Sequence, residues 1–501
     1  MTAKPNRPLN ILVIDEPDVH LVTDDAGASV DHDHDMGITA FINPGVDANL
    51  FVITDHEAPL STAAKKRTVA SLEIKDPFFD GSLEMIVRDW HKKHGIDIIY
   101  CKHEEFLLRI ANLRKMLGVK EGLQPENTVT FRDKVAMKKR AVASHFPVPK
   151  FQRIYSPSCL LSFIDRVGLP VIVKPTLGCA SFGVRILRTI ADVTKYLRTD
   201  FFAFLRTSLT SEAGQFDMAG QLIAEAYLEN ATMTHVNGLV DQGKLVAVWP
   251  FQCVRSYLDL AQGVAAGSLT LVPGDAEYVP IIEATTRLLK CYDLPSRFAF
   301  HLEMFRVPSV AAARHQLENA PVGAPDQSCY VLCELGARPP SASLPAMIAA
   351  HIGGSFDQLE FRFSAGLAYS LPARSAAELA ASRVGDLLIP PRRHARIVYM
   401  PRAAAFPVDL KRQGVQYVPI AEDGLEYGTY TIDTKPSVAR MVARGDMSVE
   451  DMTARLVEAE RWFASQIVYE PLSEGKGKSK EGEKKGERMN GTSSCNGSSQ
   501  H

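Results

Sequence analysis

Between residues 171 and 187 the chain places a lysine at the end of an apolar strand and follows it with a glycine-rich turn, an arrangement few folds can use. Val171, Ile172 and Val173 are β-formers that deliver Lys174 to a strand end, where Pro175 removes a backbone donor. Thr176-Leu177-Gly178-Cys179-Ala180-Ser181-Phe182-Gly183 is a small-residue turn, and Val184–Leu187 reads as a returning strand. Such a hairpin can fold over phosphates, because glycines let backbone N–H groups approach oxygens closely. The lysine adds a point charge for the α- and β-phosphates. It is not a Walker A loop, since no Gly-Lys-Ser/Thr opens a helix here. Taken alone, the same residues also describe a structural lysine beside an ordinary glycine hairpin.

Two acidic strands supply a second signal. Phe300-His301-Leu302-Glu303-Met304-Phe305 alternates apolar and polar residues, and so does Tyr330-Val331-Leu332-Cys333-Glu334-Leu335. If these strands are antiparallel neighbours, Glu303 and Glu334 share a face and can share a divalent cation. Magnesium suits such a pair, because it takes a few protein oxygens and keeps phosphate and water as its other ligands. The plain alternative is two carboxylates on a half-solvated sheet. Arg338 follows in Gly336-Ala337-Arg338-Pro339-Pro340, where a guanidinium could grip a carboxylate or a transferring phosphoryl group. A third, weaker signal is Leu222-Ile223-Ala224-Glu225-Ala226-Tyr227-Leu228-Glu229, an apolar strand that breaks into a turn and resumes at Thr234–Val240. Backbone leaving one strand for another can present N–H and C=O groups to an adenine edge, although a core strand and its turn would look the same.

The rest of the chain sets the frame. Its 501 residues are 46% hydrophobic with a formal net charge of -2, enough for about three domains and without the basic field that nucleic acid or an anionic membrane would attract. No apolar run approaches the roughly 20 residues that span a bilayer, and MTAKPNRPLN has no apolar leader core, so a cytoplasmic protein is expected. The cysteines are scattered without a CxxC pair, as reduced, mostly buried thiols are. Residues 9–125 alternate strands (Leu9–Ile14, Leu50–Ile53, Ile96–Tyr100) with a helix at Leu83–Lys93, and DEPDVH after the first strand offers no dinucleotide fingerprint. Asp31-His32-Asp33-His34-Asp35 looks metallic but sits among small residues, as a solvated loop does. Thr130 and Asp133 read as a cap for a helix to about His145, which the prolines at 147 and 149 stop. A strong helix is predicted over Ser448–Val468, and from Glu474 the Lys/Gly/Glu/Ser-rich tail has almost nothing to bury and is expected to be disordered.

In order and spacing, Arg132-Asp133-Lys134 with its helix, VIVKP with its glycine loop, AEAYLEN, HLEMF and CELGARPP resemble the ATP-grasp superfamily over about residues 10–370. AEAYLEN is similar to biotin carboxylase, whereas HVNGLV, FHLEMF and CELGARPP look more like L-amino-acid ligases. The resemblance implies a mixed α/β and α+β fold. A parallel α/β domain (1–125) would precede a subdomain with the glycine-loop hairpin (126–215) and one with the metal and substrate strands (216–372). A small α+β segment (373–472) and the tail (473–501) would follow. It implies ATP contacts from Lys134, Lys174, Gly178, Ser181 and Gly183, and adenine contacts from Glu225, Ala226, Tyr227 and Leu228. It further implies Mg²⁺, with Mn²⁺ as a substitute, on Glu303 and Glu334, and Arg338 as the anion-stabilising arginine, with Arg255 as a further phosphate or substrate contact. The implied activity is carboxylate–amine ligation through an acyl phosphate, on small-molecule carboxylate and amine substrates, with no nucleic-acid or membrane partner and room for a homodimer. Carboxylation with bicarbonate and a nucleotide-binding regulatory role are the alternatives. Two departures stand out: relatives often carry a metal-binding asparagine where Gly336 stands, and the usual ribose-binding acid is replaced near Thr232–Thr234.

Overall fold

The computed structural model describes residues 7–14, 37–56, 59–179, 181–202, 221–321, 328–428 and 437–472. The acidic His-containing loop at 31–35 and the tail from 473 lie outside them.

The chain opens with β1 (Leu9–Ile14), β2 (Ala48–Asp55) and β3 (Ala70–Ile74), then α1 (Leu83–His94) and β4 (Ile98–Tyr100). These form a parallel sheet in the order β3-β2-β1-β4. The near-continuous apolar runs of β1, β2 and β4 are what strands buried on both faces require. One face packs Leu12, Ile14, Phe51 and Ile53 against Leu83 and Val87 of α1. The other packs Ile11, Val13 and Val52 against Phe361 and Ala365 from far along the chain. Tyr100 Oη donates to Glu360 Oε2 at 2.7 Å and fixes that long-range seam.

Two short helices lead onward: α2 (Pro125–Arg132) and α3 (Lys134–Ala143). The helix start expected at Thr130 is displaced. Thr130 lies inside α2 with its hydroxyl bonded back to Asn127 O, and the cap of α3 is Asp133, whose carboxylate accepts from Val135 and Ala136 N–H. Next come β5 (Phe151–Ile154), β6 (Val171–Pro175), β7 (Arg185–Leu187) and β8 (Leu222–Ala226), a four-stranded antiparallel sheet ordered β5-β8-β6-β7. The strand at 222–226 thus belongs with the glycine hairpin.

A large antiparallel sheet dominates the remainder, beside a small three-stranded sheet of Ala395–Tyr399, Glu426–Tyr427 and Val468–Pro471. The strands of the large sheet are β9 (Thr232–Asp241), β10 (Lys244–Arg255), β11 (Ala266–Thr270), β12 (Arg297–Val307), β13 (Cys329–Gly336), β14 (Val384–Ile389), β15 (Val415–Pro419) and β16 (Ala439–Arg444). They run in the order β13-β12-β9-β10-β11-β14-β16-β15, so strands beyond residue 373 continue the same sheet. One face carries Val236, Phe300, Leu302, Met304 and Leu332 into the main core, against Met137 of α3 and Leu456 of the C-terminal helix α4 (Val449–Gln466). The opposite face buries Leu239, Trp249 and Phe251 under helices at Leu344–Ile352 and Phe356–Ser364. Period-2 alternation divides these two sets.

Gly267 is where β11 and β14 meet: a Cβ there would come within 1.9 Å of Asp386 O. Gly267→Ala should therefore force the two strands apart and lower stability by about 1–3 kcal/mol, the usual cost of overpacking. A lower denaturant midpoint is the expected reading, and an unchanged midpoint would contradict this pairing.

Candidate active site

A cleft of about 1340 Å³ opens where the parallel sheet, the hairpin sheet and the large sheet converge. Its walls include Lys134, Lys174, Gly178, Ser181, Glu225, Tyr227, Arg255, Glu303, Glu334 and Arg338. Residues distant in sequence are thus brought to one cavity, as ligand sites between domains commonly are.

The floor is the face of the large sheet opposite the main core. In β12 and β9 alternation turns His301 and Glu303, with His235 and Asn237, away from that core. β13 is different. Tyr330, Leu332 and Leu335 all reach the main core, so the alternation changes phase within the strand. The cause is a bulge: Glu303 pairs with Glu334 but Met304 pairs with Leu332, leaving Cys333 as an extra residue. An unbroken period of two would send Glu334 to the same side as Leu332. The bulge re-aims it at the cleft, directly across from Glu303. Gly336, which lacks any side chain, then faces His301 two register positions along.

Buried charges organise the walls. Lys134 and Lys138 lie one turn apart on α3, on one helix face. Lys134 Nζ donates to Glu334 Oε1 at 2.6 Å and to Gly178 O. Lys138, wholly buried, donates to Leu332 O at 3.1 Å and Cys333 O at 2.9 Å, and stands 3.4 Å from Glu225. Lys174 meets the other oxygen of Glu225 at 3.1 Å. Burial alone would raise the Glu225 carboxyl, but Lys138 and then Lys174 hold it below the usual range. Burial likewise pulls Lys138 down, while Lys174, despite burial, is held high chiefly by Glu225. Glu303 is kept down at about 2: burial opposes its charge, and the bond from His301 with the nearby imidazoles outweighs it.

Arg338 Nε donates to Glu104 Oε2 at 2.7 Å, and Arg132 Nη1 to Glu104 Oε1 at 2.7 Å. Glu104 stands just beyond β4, at the carboxyl end of a parallel strand where such sheets place ligands. Arg132 also donates to Leu177 O, tying the start of the glycine loop to this triad. In the loop itself Ser181 and Gly183 have positive φ, +60° and +68°, and the conformation that costs Gly183 nothing is strained for Ser181. Cys179 Sγ lies 3.3 Å from Glu105 Oε1.

Three residues sit differently from expectation. The Glu225 carboxylate is spent on two ammonium groups. The N–H groups of Ala226 and Tyr227 are already donated to Lys150 O and Pro170 O, so they do not present the adenine-edge donors expected of them. Their side chains and Leu228 still line the cleft beside Ile172, Ile186 and Phe305, a slot of apolar groups suited to a flat heterocycle. Arg255 lines the far side, where Nη1 bonds Ala265 O at 3.0 Å and Glu460 of α4 at 2.8 Å. Sequence reasoning missed Glu104, Lys138, His235 and His301. Of these, Lys138 was detectable from its i, i+4 spacing to Lys134, and His301 from its i, i+2 spacing to Glu303. The seven described cysteines are free thiols, and among the described residues no helix is long and apolar enough to cross a membrane.

No protein-family model and no curated protein sequence matches the chain. Solved structures do. The L-amino acid ligase of Bacillus licheniformis superposes over 93% of this chain and 100% of its own at 13% identity and a TM-score of 0.61. The biotin carboxylase domain of Hydrogenobacter thermophilus 2-oxoglutarate carboxylase, solved with MgADP, ADP and bicarbonate, matches 93% of this chain and 92% of its own at 14% identity and 0.55. N5-carboxyaminoimidazole ribonucleotide synthetase from Thermotoga maritima matches 93% and 100% at 15% identity and 0.53. The fold is therefore the ATP-grasp fold, with a parallel α/β domain and antiparallel sheets as the sequence resemblance implied.

The Glu104 triad makes an acid-stability prediction. Burial would raise this carboxyl, but Arg338, Arg132 and Lys134 hold it at about 2, against an ordinary value of 4.5. A depressed folded value adds stability above about pH 4.5 that is lost as pH falls towards 2. Glu104→Gln should cost about 3–5 kcal/mol at neutral pH, since two buried guanidinium groups lose their counter-charge. Its unfolding midpoint should also fall less steeply than the parent's between pH 4.5 and 2. Equal slopes would show that Glu104 carries no such charge.

Proposed function

We propose that this chain is an ATP-dependent ligase that activates a carboxylate as an acyl phosphate and joins it to an amine. The observation that carries the reading is the register pairing of Glu303 with Glu334 on the cleft floor, beneath a lysine-bearing hairpin. The comparisons give the fold and are consistent with this chemistry; the residues argue for it.

The donor set fits magnesium and a nucleotide. Two carboxylates from adjacent strands suit an ion that binds few protein oxygens, and Lys134 and Lys174 bring two ammonium groups to the same cavity. Glu303 and Glu334 would hold Mg²⁺, which when bound draws charge from the phosphate oxygens. Mn²⁺ would substitute on the same oxygens. The apolar slot at Ile172, Ile186, Leu228 and Phe305 would take adenine, and the Gly178–Gly183 turn would cover the phosphates with backbone N–H groups.

Within that site the substrate carboxylate attacks the γ-phosphorus of ATP and ADP departs. Lys134 and Lys174 neutralise oxygens of the loose transition state. The amine then attacks the acyl carbon and phosphate leaves. Arg338, whose Nε is gripped by Glu104 at 2.7 Å, is oriented at the cleft wall to stabilise the developing oxyanion. Closure of the glycine turn excludes water, which would otherwise hydrolyse the acyl phosphate. Arg255, anchored to α4, is placed to contact the substrate end. The same reading assigns residues 1–125 to substrate positioning and the two sheets that follow to the nucleotide.

The test is ADP and phosphate release from ATP with pooled acids and amines, with a product whose mass equals acid plus amine minus water. Glu334→Gln should stay folded, keep most of its nucleotide affinity and lose turnover by about 100-fold or more. Release of AMP and pyrophosphate would contradict the acyl-phosphate route. Release of ADP that depends on bicarbonate instead of an amine would favour carboxylation. Parent-like turnover in Glu334→Gln would remove the acidic pair from the chemistry.

A further inference from the structure

The cleft floor holds nitrogen as well as oxygen donors. His235 of β9 stands opposite Glu303 of β12 in the sheet register, and Asn237 stands opposite His301. With Glu334 opposite Glu303, His235, Glu303 and Glu334 make one row of side chains, and Asn237 and His301 lie in the next row on the same face. One ring nitrogen from each histidine and one oxygen of Glu303 all lie within 4.8 Å of one another. His301 Nε2 is 3.5 Å from Glu303 Oε1. Two donors bound to one ion at about 2.0–2.1 Å sit about 3–4 Å apart, so this cluster needs only small side-chain rotations to close on a cation.

The hydrogen bonds around the cluster point the same way. Asn237 Oδ1 is 2.7 Å from His301 Nδ1 and can take its N–H, which turns Nε2 towards the Glu303 carboxylate. That is the arrangement seen when a ligating imidazole is oriented by an amide or carbonyl behind it. Without either a proton or a metal ion between them, a lone pair and a carboxylate oxygen repel, and a metal ion would take the proton's place. His235 is oriented too, with Nε2 at 2.9 Å from Ser268 Oγ. Its Nδ1 is buried and has no hydrogen-bond partner among the described residues, though the residue is only 1% exposed. A buried, unpartnered imidazole nitrogen calls for a partner, and a bound ion would be one. His301 and Glu303 both line the cleft, which gives an ion its way in.

We propose that His235, His301 and Glu303 form a site for a borderline divalent transition-metal ion of the zinc class, beside the oxygen pair of Glu303 and Glu334. Imidazole donors favour such ions over magnesium. The proposal shares Glu303 with the ligase reading and so rests on the same cleft floor, but it requires no nucleotide. It makes the floor a place where the identity of the metal is chosen by nitrogen.

Cobalt(II) is the probe. The metal-stripped full chain, titrated with Co²⁺ and no nucleotide, should bind one ion with ligand-field absorption bands. His301→Gln and His235→Gln should each weaken that binding by about tenfold or more. Excess Mg²⁺ should displace it poorly. Parent-like cobalt affinity in a folded His301→Gln would overturn the proposal, since an Asn237 amide turned the other way lets His301 donate to Glu303 without any metal. A measurement on the parent alone guards against variants that fail to fold. Pulsed electron paramagnetic resonance of the chain loaded with one equivalent of Cu²⁺ should show imidazole ¹⁴N couplings, and their absence would overturn the site equally. Calorimetry of MgATP on the same samples keeps the two readings apart. An unmeasurable nucleotide affinity in the parent would sink the ligase assignment and leave the cobalt result standing.

Discussion

Two ammonium groups on one short helix hold the cleft together. Lys134 and Lys138 face the same way from α3, and between them they reach both sheets. Lys138 bonds the carbonyls of the bulged residue Cys333 and of Leu332 before it and stands against Glu225 of the hairpin sheet, while Lys134 holds Glu334 of the large sheet and a carbonyl of the glycine turn. Each charge is out of water, so each is tolerable only with its partner in place, and breaking such a pair costs about 3–5 kcal/mol. The geometry of the cleft follows from this requirement. If α3 moved, Glu334 on one sheet and an oxygen of Glu225 on the other would lose their ammonium partners together.

This arrangement also explains why the chemistry gathers on one face. The main core claims Phe300, Leu302, Met304 and Leu332, leaving the reverse of the same strands for His301, Glu303 and, by way of the bulge, Glu334. Helices at Leu344–Ile352 and Phe356–Ser364 cover part of that reverse face and dock on the parallel domain through Tyr100 and Glu360. The uncovered part is the cleft floor. Glu104 and Arg338 close its other side, so the parallel domain contributes a buried counter-charge as well as a wall.

Much of this was legible in the sequence, because its signals are local. The strand, proline and glycine turn at 171–187 specify a hairpin with Lys174 at its end, and the alternation in 300–305 sets the face of Glu303. The apolar runs at 9–14 and 50–53 specify a buried parallel sheet. What was not legible depends on exceptions to local rules or on distance. Plain alternation in 330–335 puts Leu332 and Glu334 on one face; only the bulge separates them, and nothing in the residue types marks Cys333 as the extra one. Asp133 displaced Thr130 as the cap because a helix already occupied 125–132. The role of Glu104 depends on guanidinium groups 28 and 234 residues away, a pairing that no window of sequence contains. The continuation of the large sheet beyond residue 373 is long-range for the same reason.

The claim on which these features converge is that the cleft between the hairpin and the acidic strands holds a magnesium nucleotide. Calorimetric titration of MgATP into the parent and into Lys174→Ala tests it most directly. Lys138 still accompanies Glu225 in that variant, so the fold should survive while one charge-assisted phosphate contact is lost. The account predicts binding to the parent and a loss of about 2–3 kcal/mol in the variant. Equal affinity in the two proteins, with the variant folded, would contradict it.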